Sequence, residues 1–294
     1  MSEMNTSQSL ASLTLSDGRR LAYAEVGDPQ GKPLLLLTGT GTGRSQAYWF
    51  DAAARTAGIR LIVTDRPGYG HSDPRADLTF LNHVDDVREL LDHLKLTRVS
   101  AAGMSGGGGY ALACGYRLPD RIERVVMVCG MVPVPPELFR KMSRSVRLIF
   151  WLTRHMPRLA VWMMERGMRA QGALNDAALQ RRLKGRPEAD RRVLERREMR
   201  ELSFGPPALD AMRQGMSIFV YEMGLYGRPL GFDLSQVRVP VRVWHGQRDA
   251  NVVVDIARYV AAEVPGATLH IEPEAAHLFA FGDPAGLMQQ VMAP

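Results

Sequence analysis

Hydrophobic and polar positions alternate in two short stretches early in the chain, residues 12–15 and 21–25, on either side of Asp17-Gly18. Period-two alternation puts successive side chains on opposite faces of a strand, and Asp-Gly accepts the positive φ of a tight turn, so the pair reads as a β-hairpin. Residues 33–37 and 61–64 are instead short continuous apolar runs, the pattern of strands buried on both faces, and residues 46–57 between them read as a helix. The rhythm continues with a helix over 81–94, a strand over 99–102, a helix over 107–117 and a strand over 125–129. After Pro136 it stops. From about 137 to 230 the chain is helical in character and rich in Met and Arg; strands return at 239–244 and 268–271, and a helix over 285–292 follows. The pattern predicts an α/β fold, a mostly parallel central sheet with helices on both faces, interrupted by a helical insertion.

Bulk properties narrow the classes further. At 294 residues the chain can bury roughly three quarters of its unfolded surface, so a large core needs no covalent staples. With 46% hydrophobic and 23% charged residues it reads as a soluble globular protein, and no apolar run approaches the roughly 18 residues of a membrane span. Residues 1–9 are polar, without the basic and apolar regions of a secretory signal, which makes a cytoplasmic location the expectation. Cys114 falls in a predicted helix and Cys129 in a predicted strand. Both read as reduced core thiols rather than a disulfide, a metal site or nucleophiles.

The net charge of +6 is concentrated between Arg140 and Arg200, where Arg144, Arg147, Arg154, Arg158, Arg181, Arg182, Arg191 and Arg192 are among the cations. Solvated helix faces explain most of it, because Glu188, Asp190, Glu195 and Glu198 are interleaved; steering of an anionic substrate and contact with an anionic surface are the alternatives. No nucleic-acid-binding module accompanies the charge, so no nucleic-acid partner is expected.

The chemistry centres on Gly103-Met104-Ser105-Gly106-Gly107, a G-x-S-x-G between a predicted strand and a predicted helix. There a sharp turn would expose the Ser105 hydroxyl, and small neighbours are needed because strand and helix crowd the turn. A serine nucleophile needs a base, and the base an orienting acid. Asp249 follows the strand at 239–244 and His277 follows the strand at 268–271, so Ser105, Asp249 and His277 are the candidate catalytic residues. His270 lies inside its strand, and His71 and His245 read as structural. The oxyanion formed in acyl transfer needs fixed N–H donors, and Gly106 and Thr40 are the candidates, Thr40 from the glycine-rich stretch Thr38-Gly39-Thr40-Gly41-Thr42-Gly43. That stretch also suggests a dinucleotide loop, with Asp65 at the end of the next strand, but Arg44 and Gln46 stand where the third glycine is needed. No cofactor and no metal are expected.

With the hairpin, the triad order Ser-Asp-His, and Asp65-Arg66-Pro67-Gly68-Tyr69-Gly70-His71-Ser72, which is similar to the D-x-x-G-x-G-x-S turn, the chain resembles the α/β-hydrolase superfamily. Ser105-Gly106-Gly107-Gly108 and Gly231-Phe232-Asp233-Leu234 before Val239-Pro240-Val241 resemble, more narrowly, a group of cap-bearing bacterial hydrolases. One departure is Thr38-Gly39, where many relatives carry His-Gly. The Asp65 to Ser72 stretch reads as a structural turn.

The resemblance implies a core domain of residues 1–133 and 231–294 and a helical cap of residues 134–230 over the active site. Apolar blocks at 148–152 and 159–164, with Met142, Met168, Met212, Met216 and Met223, either line an acyl pocket or pack cap against core. Met104, Trp151 and Trp162 are the candidate substrate-contacting residues. A third reading sets Arg144, Arg147, Arg154 and Arg158 beside Trp151 and Trp162 as an interfacial helix pair that touches lipid. The expected activity is serine hydrolysis of a carboxylic ester, thioester or lactone of a hydrophobic small molecule, with a small-molecule acyl substrate as partner and no stable membrane anchor. Hydrolysis of a carbon-carbon bond in a vinylogous keto acid and ligand sensing with little turnover are the alternatives. Oligomeric state is not legible in the sequence.

Overall fold

A computed structural model describes residues 11–169, 180 and 183–293. Arg181, Arg182 and the polar start at residues 1–9 lie outside the described residues. Eight strands form one sheet: β1 (Ala11–Thr14), β2 (Arg20–Gly27), β3 (Lys32–Leu37), β4 (Ile59–Thr64), β5 (Val99–Met104), β6 (Ile122–Val128), β7 (Val241–Gly246) and β8 (Thr268–Glu272). They lie in the order β1-β2-β4-β3-β5-β6-β7-β8. The hairpin β1–β2 is antiparallel, β2 runs antiparallel to β4, and every later pairing is parallel. This is the α/β-hydrolase arrangement.

Strand alternation splits the core into two layers. On one face Leu35, Leu37, Ile62 and Ala101 pack against α2 (His83–His93) and α3 (Gly107–Arg117). On the other, Leu34, Leu36, Leu61, Val63 and Ala102 pack against α1 (Ala47–Thr56) and the final helix. Because both faces of β3, β4 and β5 are covered, these strands read as unbroken apolar runs. The outer strands β1 and β8 carry exposed positions, as edge strands must when one side lacks a partner.

Between β6 and β7 the segment that reads as one helical block divides into α4 (Pro136–Phe139), α5 (Arg144–His155), α6 (Pro157–Arg169), α7 (Glu188–Leu194), α8 (Arg197–Phe204), α9 (Pro206–Ala211) and α10 (Ser217–Leu225). Prolines stand in the first turns of α4, α6 and α9 and immediately before α7, where a missing N–H costs nothing. After β7 comes α11 (Val254–Glu263), a helix absent from the sequence expectations, and after β8 come α12 (Phe279–Gly282) and α13 (Pro284–Met292). Two strands are also shorter than expected at one end. Cys129 leaves β6 with φ of 44°, and β7 begins after Pro240, which has no N–H for the ladder.

Register carries the site. Leu37 pairs with Gly103, so the chains leaving β3 and β5 emerge side by side at the carboxyl edge of the sheet. Met104 pairs with Val128, Val128 with Trp244, and Gly246 with Glu272, which brings the loops after β6, β7 and β8 to the same edge. In open α/β sheets this is the edge where ligands bind.

Candidate active site

Ser105 sits in the turn between β5 and α3 with φ of 49°, a left-handed conformation that a serine holds only when its surroundings enforce it. Its own carbonyl accepts from Met131 N–H at 2.7 Å and from Gly108 N–H at 3.0 Å, and its N–H donates to Val128 O at 3.0 Å. A Cβ at Gly103 would stand 2.6 Å from the Gly107 carbonyl and 2.7 Å from Ala111, while one at Gly107 would collide with the Leu37 carbonyl. The glycines are there because strand and helix meet with no room between them.

Asp249 and His277 join Ser105 from the loops after β7 and β8. Ser105 Oγ donates to His277 Nε2 at 2.9 Å, and His277 Nδ1 donates to Asp249 Oδ2 at 2.7 Å. This tautomer is the one that suits an ionised carboxylate, which can only accept. The other oxygen, Oδ1, accepts from Asn251 N–H and Val252 N–H, each at 2.8 Å. Burial works to raise the Asp249 pKa, but the charge and hydrogen bond of His277, with His245 and the Val252 N–H, hold it below the ordinary carboxylate value. Burial likewise works to lower the His277 pKa, and the charge and hydrogen bond of Asp249, aided by Asp190, hold it above the ordinary imidazole value. The chain of bonds can accept a proton at Nε2 while keeping the imidazolium oriented.

Thr40 and Gly106 also meet. An added Cβ at Gly106 would lie 2.9 Å from Thr40 N and would collide with Thr40 Oγ1. Among the described residues, neither the Thr40 N–H nor the Gly106 N–H has a hydrogen-bond acceptor. The loop before Thr40 is clamped by a residue that the sequence reading treated as part of a structural turn. Arg66 Nη1 donates to Thr38 O at 2.5 Å and Nη2 to Gly39 O at 3.0 Å. Its remaining donors go to Glu222 of α10, Nε at 2.7 Å and Nη2 at 3.0 Å, and Tyr69 Oη donates to the same carboxylate at 2.8 Å. Arg66 also lies over the rings of Tyr69 and Tyr110. Thr38-Gly39 thus gets its shape from Arg66 rather than from a histidine in the loop.

Tyr226, just past α10, donates from Oη to Gly106 O at 2.5 Å and stands 3.4 Å from Thr40 Oγ1. Burial, with the nearby Glu222 charge, pushes its pKa up, so the phenol stays protonated as a donor. Phe219 and Met212 crowd Gly41, where a Cβ would stand 3.0 Å and 4.0 Å from them. Asp190 of α7, buried at 2% exposure, accepts from Leu278 N–H at 2.7 Å, directly beside His277. Sequence reading counted Asp190 among interleaved surface acids and weighed neither Tyr226 nor Phe219. Tyr226 and Phe219 act through contacts that no local motif reveals.

Three other expectations change. Met104 enters the apolar core between sheet and helices at 4% exposure, because the residue before Ser105 still belongs to β5 and points down from the turn. Trp151 and Trp162 stand 50% and 56% exposed on α5 and α6, and their ring partners are His155 and Arg166, not residues of the Ser105 cluster. Met142 joins the main core and Met212 and Met216 pack with Tyr69, the cap-to-core reading of those methionines, although Met212 also reaches Gly41.

Three histidines outside the cluster have hydrogen-bonding partners elsewhere. His245 donates from Nε2 to Val252 O at 2.8 Å beneath Asp249, His71 pairs with Asp210 at 3.0 Å, and His270 pairs with Glu272 on the edge strand. Asp65 accepts from Arg44 and from the His71 N–H, which commits its carboxylate to the turn. Cys129, His245 and Asp249 place possible metal-ligand atoms within 4.8 Å of one another. Burial pushes the Cys129 thiol up, however, and the Asp249 oxygens are engaged by His277, Asn251 and Val252. Burial pushes Cys114 up to about 12 as well, so both thiols are protonated core groups.

Residues 32–160 match the family described as alpha/beta hydrolase fold. A putative carbamate hydrolase, RutD, from Caulobacter is 26% identical over 286 residues, covering 92% of this chain and 94% of the relative. A 2-hydroxy-6-oxononadienedioate/2-hydroxy-6-oxononatrienedioate hydrolase from Cupriavidus pinatubonensis is 24% identical over 83% of this chain and 80% of its own length. Among solved structures, the enol-lactonase from Burkholderia xenovorans superposes with a TM-score of 0.69 at 22% identity, covering 96% of this chain and 98% of its own. With the sheet order above, these matches show that the chain has the α/β-hydrolase fold and is similar to hydrolases of that superfamily.

Proposed function

We propose that the chain is a serine hydrolase that cleaves a carboxylic ester, thioester or lactone of an apolar small molecule through an acyl-enzyme. The observation that carries this is the continuous arrangement of Ser105, His277 and Asp249 at 2.9 and 2.7 Å beside two unengaged N–H groups, those of Gly106 and Thr40. In this mechanism Ser105 Oγ attacks the carbonyl carbon as its proton passes to His277 Nε2. The carbonyl oxygen becomes an oxyanion held by the Gly106 and Thr40 N–H groups, and Asp249 stabilises the imidazolium. The tetrahedral intermediate collapses, the bond to the leaving group breaks, and His277 returns the proton to that group. Water, deprotonated by His277, then attacks the acyl carbon and Ser105 leaves with the proton. No step needs a metal or an organic cofactor.

In this reading residues 134–230 form a cap, with Phe219 and Met212 beside the oxyanion loop where an acyl chain would pass. The apolar character of those two residues supports a hydrophobic substrate. A second reading, hydrolysis of a carbon-carbon bond in a vinylogous keto acid, is favoured by the similarity to the Cupriavidus hydrolase over most of both chains. The same three residues suffice for it.

Covalent labelling with a fluorophosphonate tests the nucleophile. Wild type labels at one site and Ser105→Ala does not; equal labelling of both defeats the proposal. Turnover of short p-nitrophenyl esters compared with that of a vinylogous keto acid then separates the two substrate readings, since a carbon-carbon hydrolase turns over the keto acid far faster.

A further inference from the structure

Nine large hydrophobic side chains are exposed among the described residues, and six of them, Leu148, Trp151, Met156, Leu159, Trp162 and Met163, lie on α5, α6 and the residue joining them. The concentration makes this a patch rather than a scatter. The two helices pack against each other and their inner sides rest on α10, so among the described residues the outward side is the one left uncovered. Arg144 and Leu148 fall on one stripe of α5 with Trp151 and His155; Arg158, Leu159, Trp162, Met163 and Arg166 follow the corresponding spacing on α6. Arg144, Arg154, Arg158 and Arg166 are exposed, and the Arg166 guanidinium lies over the Trp162 ring at 5.7 Å. Across both helices Glu165 is the sole acidic residue.

We propose that this helical hairpin docks in the plane of an anionic lipid bilayer, with Trp151 and Trp162 at the level of the headgroups and the arginines on lipid phosphates. Indole is apolar in body and polar at one edge, which suits the boundary between water and hydrocarbon. Arginine stems cover apolar surface while their heads reach the phosphates. A second copy of the chain is the poorer occupant, because a self-pairing contact would set this arginine cluster against itself. Single-stranded nucleic acid would use the indoles and arginines but leave Leu148, Leu159 and Met163 without a role. No helix among the described residues is long and apolar enough to cross a membrane, so the contact is peripheral and reversible. The inference stands apart from the identity of the substrate.

The test is co-sedimentation of the full chain with sucrose-loaded vesicles, either pure phosphatidylcholine or about three parts phosphatidylcholine to one of phosphatidylglycerol, at low and high salt. The protein is expected to sediment with the anionic vesicles at low salt, at least about tenfold more than with neutral ones, and to be released by salt. Trp151→Ser/Trp162→Ser and Arg144→Gln/Arg158→Gln each weaken binding about tenfold or more while retaining the wild-type circular-dichroism melt. Brominated acyl chains quench tryptophan fluorescence in wild type and not in the tryptophan double variant. Wild type left in the supernatant with both vesicles overturns the proposal, as does binding that neither double variant reduces. A concentration-dependent dimer abolished by the tryptophan pair, or binding to a single-stranded oligonucleotide, in the absence of vesicle binding would reassign the face and also overturn it.

Discussion

The Arg66 guanidinium and the Glu222 carboxylate pair at 2.7 Å with neither side chain reaching solvent, one from the turn after β4 and the other from α10. The pair joins the helices of the insertion to the loop that presents Thr40. Removing one partner of a buried pair leaves an uncompensated charge, at a cost of roughly 3–5 kcal/mol. Glu222→Ala is therefore expected to lower the unfolding free energy by about that amount in a denaturant titration, and to lower kcat more than it raises KM, as Thr38-Gly39 relaxes. Arg66→Met combined with Glu222→Leu should recover most of the stability and none of the rate. A Glu222→Ala variant as stable as wild type would show that the pair is not coupled to the fold in this way.

The pH profile follows from His277. In the proposed mechanism it serves as a base only when unprotonated, so kcat/KM rises with pH through its pKa, and Asp249 holds that pKa above the ordinary value of about 6.5. Asp249→Asn removes the negative charge, which favours the neutral ring and moves the acid limb to lower pH. The rate itself falls by about 10⁴-fold, as the imidazolium loses its orienting partner. An acid limb unchanged in Asp249→Asn would mean that another group sets it.

Asp190 permits a finer separation of charge from anchoring. Asp190→Asn retains an oxygen for the Leu278 N–H but removes the charge that helps raise the His277 pKa, so the acid limb moves down with little loss of stability. Asp190→Ala loses the anchor as well and is expected to cost about 1–3 kcal/mol, because a buried N–H is left unpaired. Identical profiles for wild type and Asp190→Asn would confine Asp190 to a structural role.

Gly106→Ala probes the proposed oxyanion donors without touching the side chains of Ser105, His277 and Asp249. The new methyl collides with Thr40 Oγ1 and falls 2.7 Å from Tyr226 Oη, so the two N–H groups are pushed apart. A loss of about 10²–10³-fold in kcat is expected, the range seen when one oxyanion donor is removed. Tyr226→Phe, which deletes only the hydrogen bond to Gly106 O, should cost less. Unimpaired turnover in Gly106→Ala would remove Gly106 from the mechanism.

The sheet and the Ser105–His277–Asp249 cluster were legible because each rests on local signals: the central buried strands are continuous apolar runs, and each of the three residues follows a strand that the sequence predicts. The internal divisions of the insertion were marked by Pro136, Pro157, Pro187 and Pro206, although a single helical block hid them. Arg66, Glu222, Tyr226 and Asp190 were not legible in their roles. Arg66 meets Glu222 across 156 positions of sequence, and nothing near either residue encodes the other. Trp151 and Trp162 misled for the opposite reason: their local pattern is that of any amphipathic helix, and only the packing decides which stripe faces outward.

The long excursion between β6 and β7 also sets a timetable. During synthesis Ser105 and its turn leave the ribosome early, while Asp249 and His277 lie in the last sixth of the sequence. Until then the side of β6 that pairs with β7 has no partner, so a stalled or truncated product exposes an adhesive strand, and in the proposed mechanism its serine still lacks a base. Quality control would meet that intermediate as an aggregation hazard and, on the proposed mechanism, not as a stray nucleophile.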